Sequence, residues 1–138
     1  ALRDAVARAD LVLDCCDNMA TRHEVNAACI AAAKPLISGS AVGFSGQLLV
    51  LEPPYAHGCY ACLYPEQEEP QRNCRTAGVL GPVVGVIGTL QALEAIKMLA
   101  GLPSSLSGKL RLFDGKQQSW STLQLSRARA CPVCGGAA

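Results

Sequence analysis

A strong charge of either sign is missing from this sequence. Twelve lysines and arginines face 11 acidic residues, and the formal net charge is +1. The basic residues are scattered, without the patch or stripe that marks a nucleic-acid surface. No run of like charge reads as a tail. The N-terminus, Ala1-Leu2-Arg3-Asp4-Ala5-Val6, has no signal-peptide pattern. It also has no starting Met and opens inside what reads as a helix, so the chain is expected to be a fragment or a processed product. No apolar run reaches the ~20 residues of a membrane span. The stretch 77–93 comes nearest, but Gly78, Gly81, Pro82, Gly85 and Gly88 break it, and Glu94 and Lys97 follow at once. A buried helix of a soluble protein is expected there. Internal repeats and low-complexity tracts are absent.

What is present is apolar. Half of the 138 residues are hydrophobic, enough for one domain, or most of one, with a sizeable core. Eight cysteines stand in a chain without a secretory signal, a combination that favours metal over disulfides and places the protein in a reducing cytoplasm.

Residues 2–9 read as the end of a helix, with Leu2, Val6 and Ala9 near one face. Residues 10–14, Asp-Leu-Val-Leu-Asp, read as a short strand of the kind buried on both faces in parallel sheets. Thr21 with Glu24 three residues on forms a capping-box pattern, and a helix is expected to about Ala33 with Val25, Ala28, Cys29 and Ala32 inward. Residues 35–40 give a second strand and complete a strand-helix-strand unit. A third strand is expected over 46–52, ended by Pro53-Pro54. Residues 55–77 lack periodicity and read as a long loop, a feature usually functional in compact domains. A helix over 82–100 and a hairpin of strands 109–114 and 119–125 follow.

Three groups carry chemistry. Cys59-Tyr60-Ala61-Cys62 and Cys131-Pro132-Val133-Cys134 each put two thiolates on one tight turn, and two such turns complete a tetrahedral, structural zinc site. Two redox pairs or two disulfides are the competing reading, but a thioredoxin-type pair follows a strand and opens a helix, and neither pair does both. Asp14-Cys15-Cys16-Asp17-Asn18 lies at the end of a parallel strand, where open α/β sheets bind ligands. A carboxylate there can hold Mg²⁺ against nucleotide phosphates; equally, Asp and Asn favour loops and caps on their own account. In the long loop, Cys74 stands between Arg72 and Arg75, whose charge favours the thiolate. Its alternative is a loop cysteine without a task. Glu94 and Lys97, three apart, read as an exposed ion pair; Cys29 reads as core, and His23 and His57 carry no assigned role.

These residues resemble the ThiF/MoeB/HesA family of sulfur-carrier adenylyltransferases related to ubiquitin-activating enzyme. The signposts are 14–18 with Arg22 and Asn26; Pro35-Leu36-Ile37-Ser38-Gly39; the two cysteine pairs; Gly78-Val79-Leu80-Gly81-Pro82; and Gln91-Ala92-Leu93-Glu94-Ala95-Ile96-Lys97. The resemblance implies an α/β fold: the C-terminal half of a Rossmann-like doubly wound sheet with a four-cysteine zinc site and a C-terminal β-hairpin. Residues 1–138 would be the C-terminal part of one adenylyltransferase domain, and 53–77 its zinc-knuckle and crossover loop. It implies ATP- and Mg²⁺-dependent adenylylation of the C-terminal glycine of a ubiquitin-like sulfur carrier, then sulfur transfer from a desulfurase- or rhodanese-type donor, in a homodimer. Asp17 and Asn18 match the phosphate and magnesium side, and Cys59, Cys62, Cys131 and Cys134 the zinc ligands. Cys74 matches the cysteine that links to the carrier in the thiamine branch, and residues 73–78 favour that branch over the molybdopterin one. The family's glycine-rich phosphate loop, its adenosine-binding acid and its phosphate-binding Lys and Arg have no counterpart in this sequence. A carrier-binding zinc module without chemistry and a redox protein are the alternatives from other classes.

Overall fold

The computed structural model describes residues 1–65 and 78–135. Its elements are α1 (Leu2–Arg8), β1 (Val12–Asp14), α2 (Met19–Ala32), β2 (Leu36–Val42), β3 (Ser45–Leu51), α3 (Tyr60–Leu63), α4 (Gly81–Leu99), β4 (Lys109–Asp114) and β5 (Ser119–Gln124). The strands form one sheet in chain order, β1-β2-β3-β4-β5. β1 and β2 are parallel, with Val12 opposite Leu36 and Asp14 opposite Ser38. The other three pairings are antiparallel. The sheet is therefore mixed: one crossover unit followed by a meander, open at both edges.

Strand periodicity divides the core into two layers. Leu36, Leu49 and Leu51 face α1, α2 and α3, with Val25, Ala28 and Cys29. Ile37, Leu48 and Val50 face the other side, against Ala95 of α4. Cys29 is a core residue with no exposed surface, as its spacing implies. Val6 is buried, while Leu2 lies at the surface.

The start of α2 differs from the capping-box expectation. Asn18, not Thr21, is the N-cap: its backbone is extended and its Oδ1 accepts from the Thr21 N–H at 2.8 Å. An Asn side chain placed three residues before an orphan helix N–H satisfies it directly, so the helix starts at Met19. The stretch expected to be an irregular loop also contains a helical turn, α3.

α4 corrects a second expectation. It is not buried all round. Val83, Ile87, Gln91, Glu94 and Ala95 face the sheet, and Val84, Val86, Leu93, Ile96 and Leu99 are exposed. By length and composition this helix could cross a membrane, and its outer apolar face is exposed. Its inner face is committed to β2 and β3. The Glu94–Lys97 pair forms at 2.9 Å, but it is not an exposed pair: Glu94 is buried and also accepts from Ser104 Oγ at 2.9 Å. Leu102 N–H bonds back to Lys97 O, and the turn that brings Ser104 to Glu94 is what encloses the carboxylate.

Candidate functional site: a pocket beyond the parallel strands and a four-thiol cluster

β1 and β2 run side by side as far as Asp14 and Ser38, where β1 ends and β2 continues to Val42. Beyond the C-terminal end of β1, against this overhang of β2, lies a cavity of about 400 Å³. Cys15, Asp17, Asn18, Met19 and Arg22 form one wall, residues 39–42 of β2 the floor, Tyr60 and Tyr64 a second wall, and Val84, Ile87 and Gln91 of α4 the third. The crevice at the carboxyl ends of parallel strands is where open α/β sheets take ligands.

Arg22 braces this site. Its side chain is buried, and Nη1 donates to Ser38 Oγ at 3.2 Å and to Gly39 O at 3.1 Å. Nη2 donates to Cys16 O. Asp14, also buried, accepts from Cys16 N–H at 2.9 Å, and its carboxylate lies 4.0 Å from the guanidinium. The turn 14–18 is thus held by Asp14 from before and by Arg22 from below, while Asp17 projects to the exposed rim. Asp17 Oδ1 accepts from Asn18 Nδ2 at 3.2 Å. Burial, with the Asp14 carboxylate next, pushes the Cys16 thiol up to about 11. Cys16 is therefore a neutral thiol near pH 7 and a poor nucleophile.

Gln91 pins the strand ends. Buried on α4, its Nε2 donates to Asp14 O at 3.0 Å and to Ile37 O at 3.1 Å, one bond to each parallel strand. Cys15 Sγ approaches its Oε1 at 3.6 Å. Gly39 makes room for it: a Cβ there would lie 2.3 Å from Gln91 Oε1 and 2.8 Å from Ile87 Cγ2. Gly39→Ala is expected to destabilise the chain by roughly 1–3 kcal/mol, as overpacking does. A thermal melt reads this, and an unchanged midpoint would show that Gln91 yields without cost.

The four-thiol cluster is the second feature. The Sγ atoms of Cys59, Cys62, Cys131 and Cys134 all lie within 4.8 Å of one another. Cys59 and Cys131 are 3.8 Å apart, and Cys62 and Cys134 3.4 Å. A tetrahedron of Zn–S bonds near 2.3 Å has edges of about 3.8 Å, whereas a disulfide needs about 2.05 Å. All four are free thiols, so the disulfide reading fails. The surroundings act on the four thiols in different directions, and burial pushes Cys134 up to about 12. Burial pushes Cys59 up, opposed by the Asn26 amide and the backbone N–H groups of Cys62 and Ala61. At Cys131 burial also acts upward, but the N–H groups of Cys134 and Val133 outweigh it and bring the thiol down to about 7. Gly58 permits the first turn: its φ is +106°, and a Cβ would meet Cys62 Sγ at 3.1 Å. The residues present fit a metal that prefers four sulfurs.

The sequence-predicted residues thus fall into two places. Asp17 and Asn18 line the pocket, and the four cysteines form the cluster. Cys74, with Arg72 and Arg75, lies outside the described residues. Tyr60 joins the two places: it follows Cys59, lines the pocket, and donates its hydroxyl to Met19 Sδ at 3.2 Å. In the sequence, the residues that brace the pocket, Arg22, Tyr60 and Gln91, stand out only as family signposts or as spacers. The available signal was polarity on inward helical positions: Arg22 and Asn26 precede Cys29 at a spacing of four and then three.

The sequence matches the model of the ThiF family over residues 1–133. The sulfur carrier protein ThiS adenylyltransferase of Escherichia coli (strain K12) is 68% identical over 136 residues, which cover 99% of this chain and 54% of that protein. The molybdopterin-synthase adenylyltransferase of the same organism is 45% identical over 130 residues, 94% of this chain and 52% of that protein. The mouse adenylyltransferase and sulfurtransferase MOCS3 is 47% identical over 138 residues, covering 96% of this chain and 29% of that protein. The chain spans about half the length of the bacterial relatives. Among solved structures, E. coli MccB with ATP superposes with a TM-score of 0.71 at 21% identity, over 98% of this chain and 43% of that one; this likeness concerns the fold. With the family model matched from the first residue to the second cysteine turn, and identity this high along nearly the whole length, the chain belongs to the ThiF family.

Proposed function

We propose that this chain is the C-terminal part of an adenylyltransferase domain that activates the C-terminal glycine of a ubiquitin-like sulfur carrier of the thiamine type. The observation that carries the reading is the 68% identity to the ThiS adenylyltransferase along 99% of the chain. In this reading a carboxylate oxygen of the carrier attacks the α-phosphorus of ATP. The bond from that phosphorus to the bridging oxygen breaks, pyrophosphate leaves with the electron pair, and an acyl-adenylate remains. Asp17, with Asn18 beside it, would hold Mg²⁺, which offsets charge on the departing pyrophosphate. The pocket walls of Arg22, Tyr60 and Gln91 would seat the carrier's extended tail. Zinc on the four cysteines would be structural, since four protein ligands leave no open position. The protein would work in the cytoplasm as a homodimer, with a desulfurase- or rhodanese-type sulfur donor.

The 45% identity to the molybdopterin-synthase enzyme favours a second reading, activation of that pathway's carrier. Pyrophosphate exchange by the full-length protein, with each carrier in turn, separates the two. Exchange dependent on a thiamine-type carrier is expected. Carrier binding without exchange would reduce the protein to a binding module and overturn the reading.

Cys74 is proposed as the sulfur-transfer cysteine. Cys74→Ser in the full-length protein is expected to leave pyrophosphate exchange within about twofold, because adenylation uses only phosphate and metal contacts. The covalent carrier adduct seen by mass spectrometry without reductant should vanish. An adduct that persists, or that maps to Cys15 or Cys16, assigns the role to another thiol.

A further inference from the structure

Asn26 stands where the thiol cluster meets the helix that shapes the pocket. Its side chain has no exposed surface, and neither has Cys59. The amide is divided between two partners. Its Oδ1 accepts from the backbone N–H of Tyr60 at 3.1 Å. A backbone N–H can only donate, so this bond fixes which end of the amide is which. The Nδ2 group is thereby turned to Cys59 Sγ, 3.5 Å away. Neither end of the amide is exchangeable with the other, and no water reaches it. The two bonds satisfy the amide where solvent cannot, since an unpaired buried amide is costly.

The bonds close a circuit. From Asn26 the chain of α2 runs back two turns to Met19, whose Sδ accepts from the Tyr60 hydroxyl at 3.2 Å. Tyr60 is the residue after Cys59 and returns the circuit to the sulfur. Arg22, which braces the 14–18 turn, lies one turn before Asn26 on the same face of α2. Tyr60 also packs edge-on against His23 at 5.1 Å between ring centres.

We propose that Asn26 is a positioning residue for the metal site: its N–H donates to the Cys59 thiolate while its carbonyl holds Tyr60. It thereby locks the first cysteine turn to α2. The proposal rests on the reading of the four cysteines as a zinc site. An N–H directed at a thiolate withdraws part of its charge and orients the sulfur lone pairs. Partners of this kind, one bond beyond the ligands, change metal affinity by about 10–100-fold when removed. The arrangement also makes the metal and the helix bearing the pocket wall one rigid unit.

Two measurements on the full-length protein test this. In the parent loaded with ¹¹³Cd, a scalar coupling between the metal and an Asn26 side-chain amide proton is expected through the sulfur. It requires no variant. Second, Asn26→Asp keeps an oxygen for Tyr60 and nearly the same volume but sets a carboxylate oxygen against the thiolate. Its zinc affinity, read by competition with a chromogenic chelator, should fall about 10–100-fold. The thiolate-to-metal absorption band of the cobalt-loaded variant should shift. A parent that binds zinc, shows no such coupling and has an Asn26→Asp variant of equal affinity and spectrum would overturn the role of Asn26 and leave the metal site standing. A parent that takes up no zinc, cobalt or cadmium overturns both.

Discussion

Asp17→Asn in the full-length protein is expected to lower carrier-dependent pyrophosphate exchange by roughly 100-fold or more, the scale on which removal of one transition-state charge partner acts. The folded structure should survive. Asp17 sits on the exposed rim beyond β1, and its Oδ1 accepts from Asn18 Nδ2. Asparagine keeps an oxygen at that place. The helix cap belongs to Asn18, and the turn is braced by Asp14 and Arg22, so neither support is touched. What disappears is one negative charge at the pocket, and with it the carboxylate proposed to hold Mg²⁺. Exchange assays paired with a thermal melt separate the two effects. Parent-like exchange would leave Asp17 as a turn-forming residue, and a large drop in the melting midpoint would show that the fold relies on its charge.

Stripping the metal is expected to have the other large effect. The end of the described chain, from Leu125 to Gly135, has no strand or helix. It is attached through Cys131 and Cys134, through packing of Leu125 and Val133, and through the Leu125 N–H, which donates to Gly108 O, while the Arg127 guanidinium, donating to Cys134 O, ties the segment to itself. With metal bound, four thiolates fix this segment to α3, and the binding free energy becomes folding free energy. Chelation should therefore cost several kcal/mol and lower the melting midpoint by 10 °C or more in a chain of this size, on the order expected from unfolding entropies. Cys131→Ser should act in the same direction with less amplitude. The pH dependence has a fixed sign. Each thiol must lose a proton to bind, so affinity falls as pH falls, and the stabilisation by metal is lost on acidification. Elemental analysis of protein purified without chelator is the simplest check. A melt indifferent to chelator would mean that packing alone holds the C-terminal segment.

The elements were legible in the sequence wherever short-range patterning settles the structure. The apolar runs at 10–14 and 48–51 and the two Cys-x-x-Cys turns each declare themselves within a few residues, although Leu13, in a strand read as buried on both faces, is exposed. Burial was less legible. Glu94 and Lys97 have the spacing of a surface pair, and nothing near them announces that Ser104 will close over the carboxylate. The cap of α2 was misplaced because Asn18 and Thr21 are both good caps, and only the extended backbone at Asn18 decides between them. The outer face of α4 was read as buried because composition reports how apolar a helix is, not how many of its sides meet protein. The bracing of the pocket depends on partners far apart in the chain: Gln91 bonds Asp14 across 77 positions, and Asn26 reaches Cys59 across 33. No local rule encodes such pairs. A polar residue on an inward helical position is the trace they leave.

The two halves of the thiol cluster are 72 residues apart in the chain. During synthesis the first cysteine turn therefore leaves the ribosome long before the second exists. It must stay reduced through the formation of α4 and the β4–β5 hairpin, which lie between. Closing so long a segment adds little entropic cost over a shorter one, so the delay is one of timing more than of energy. A nascent or clipped chain ending before Cys131 would offer two ligands where four are needed. Stable metal uptake would then mark a polypeptide extended through Cys134, and a cell's quality control would meet an unfastened segment in every copy that stops short of it.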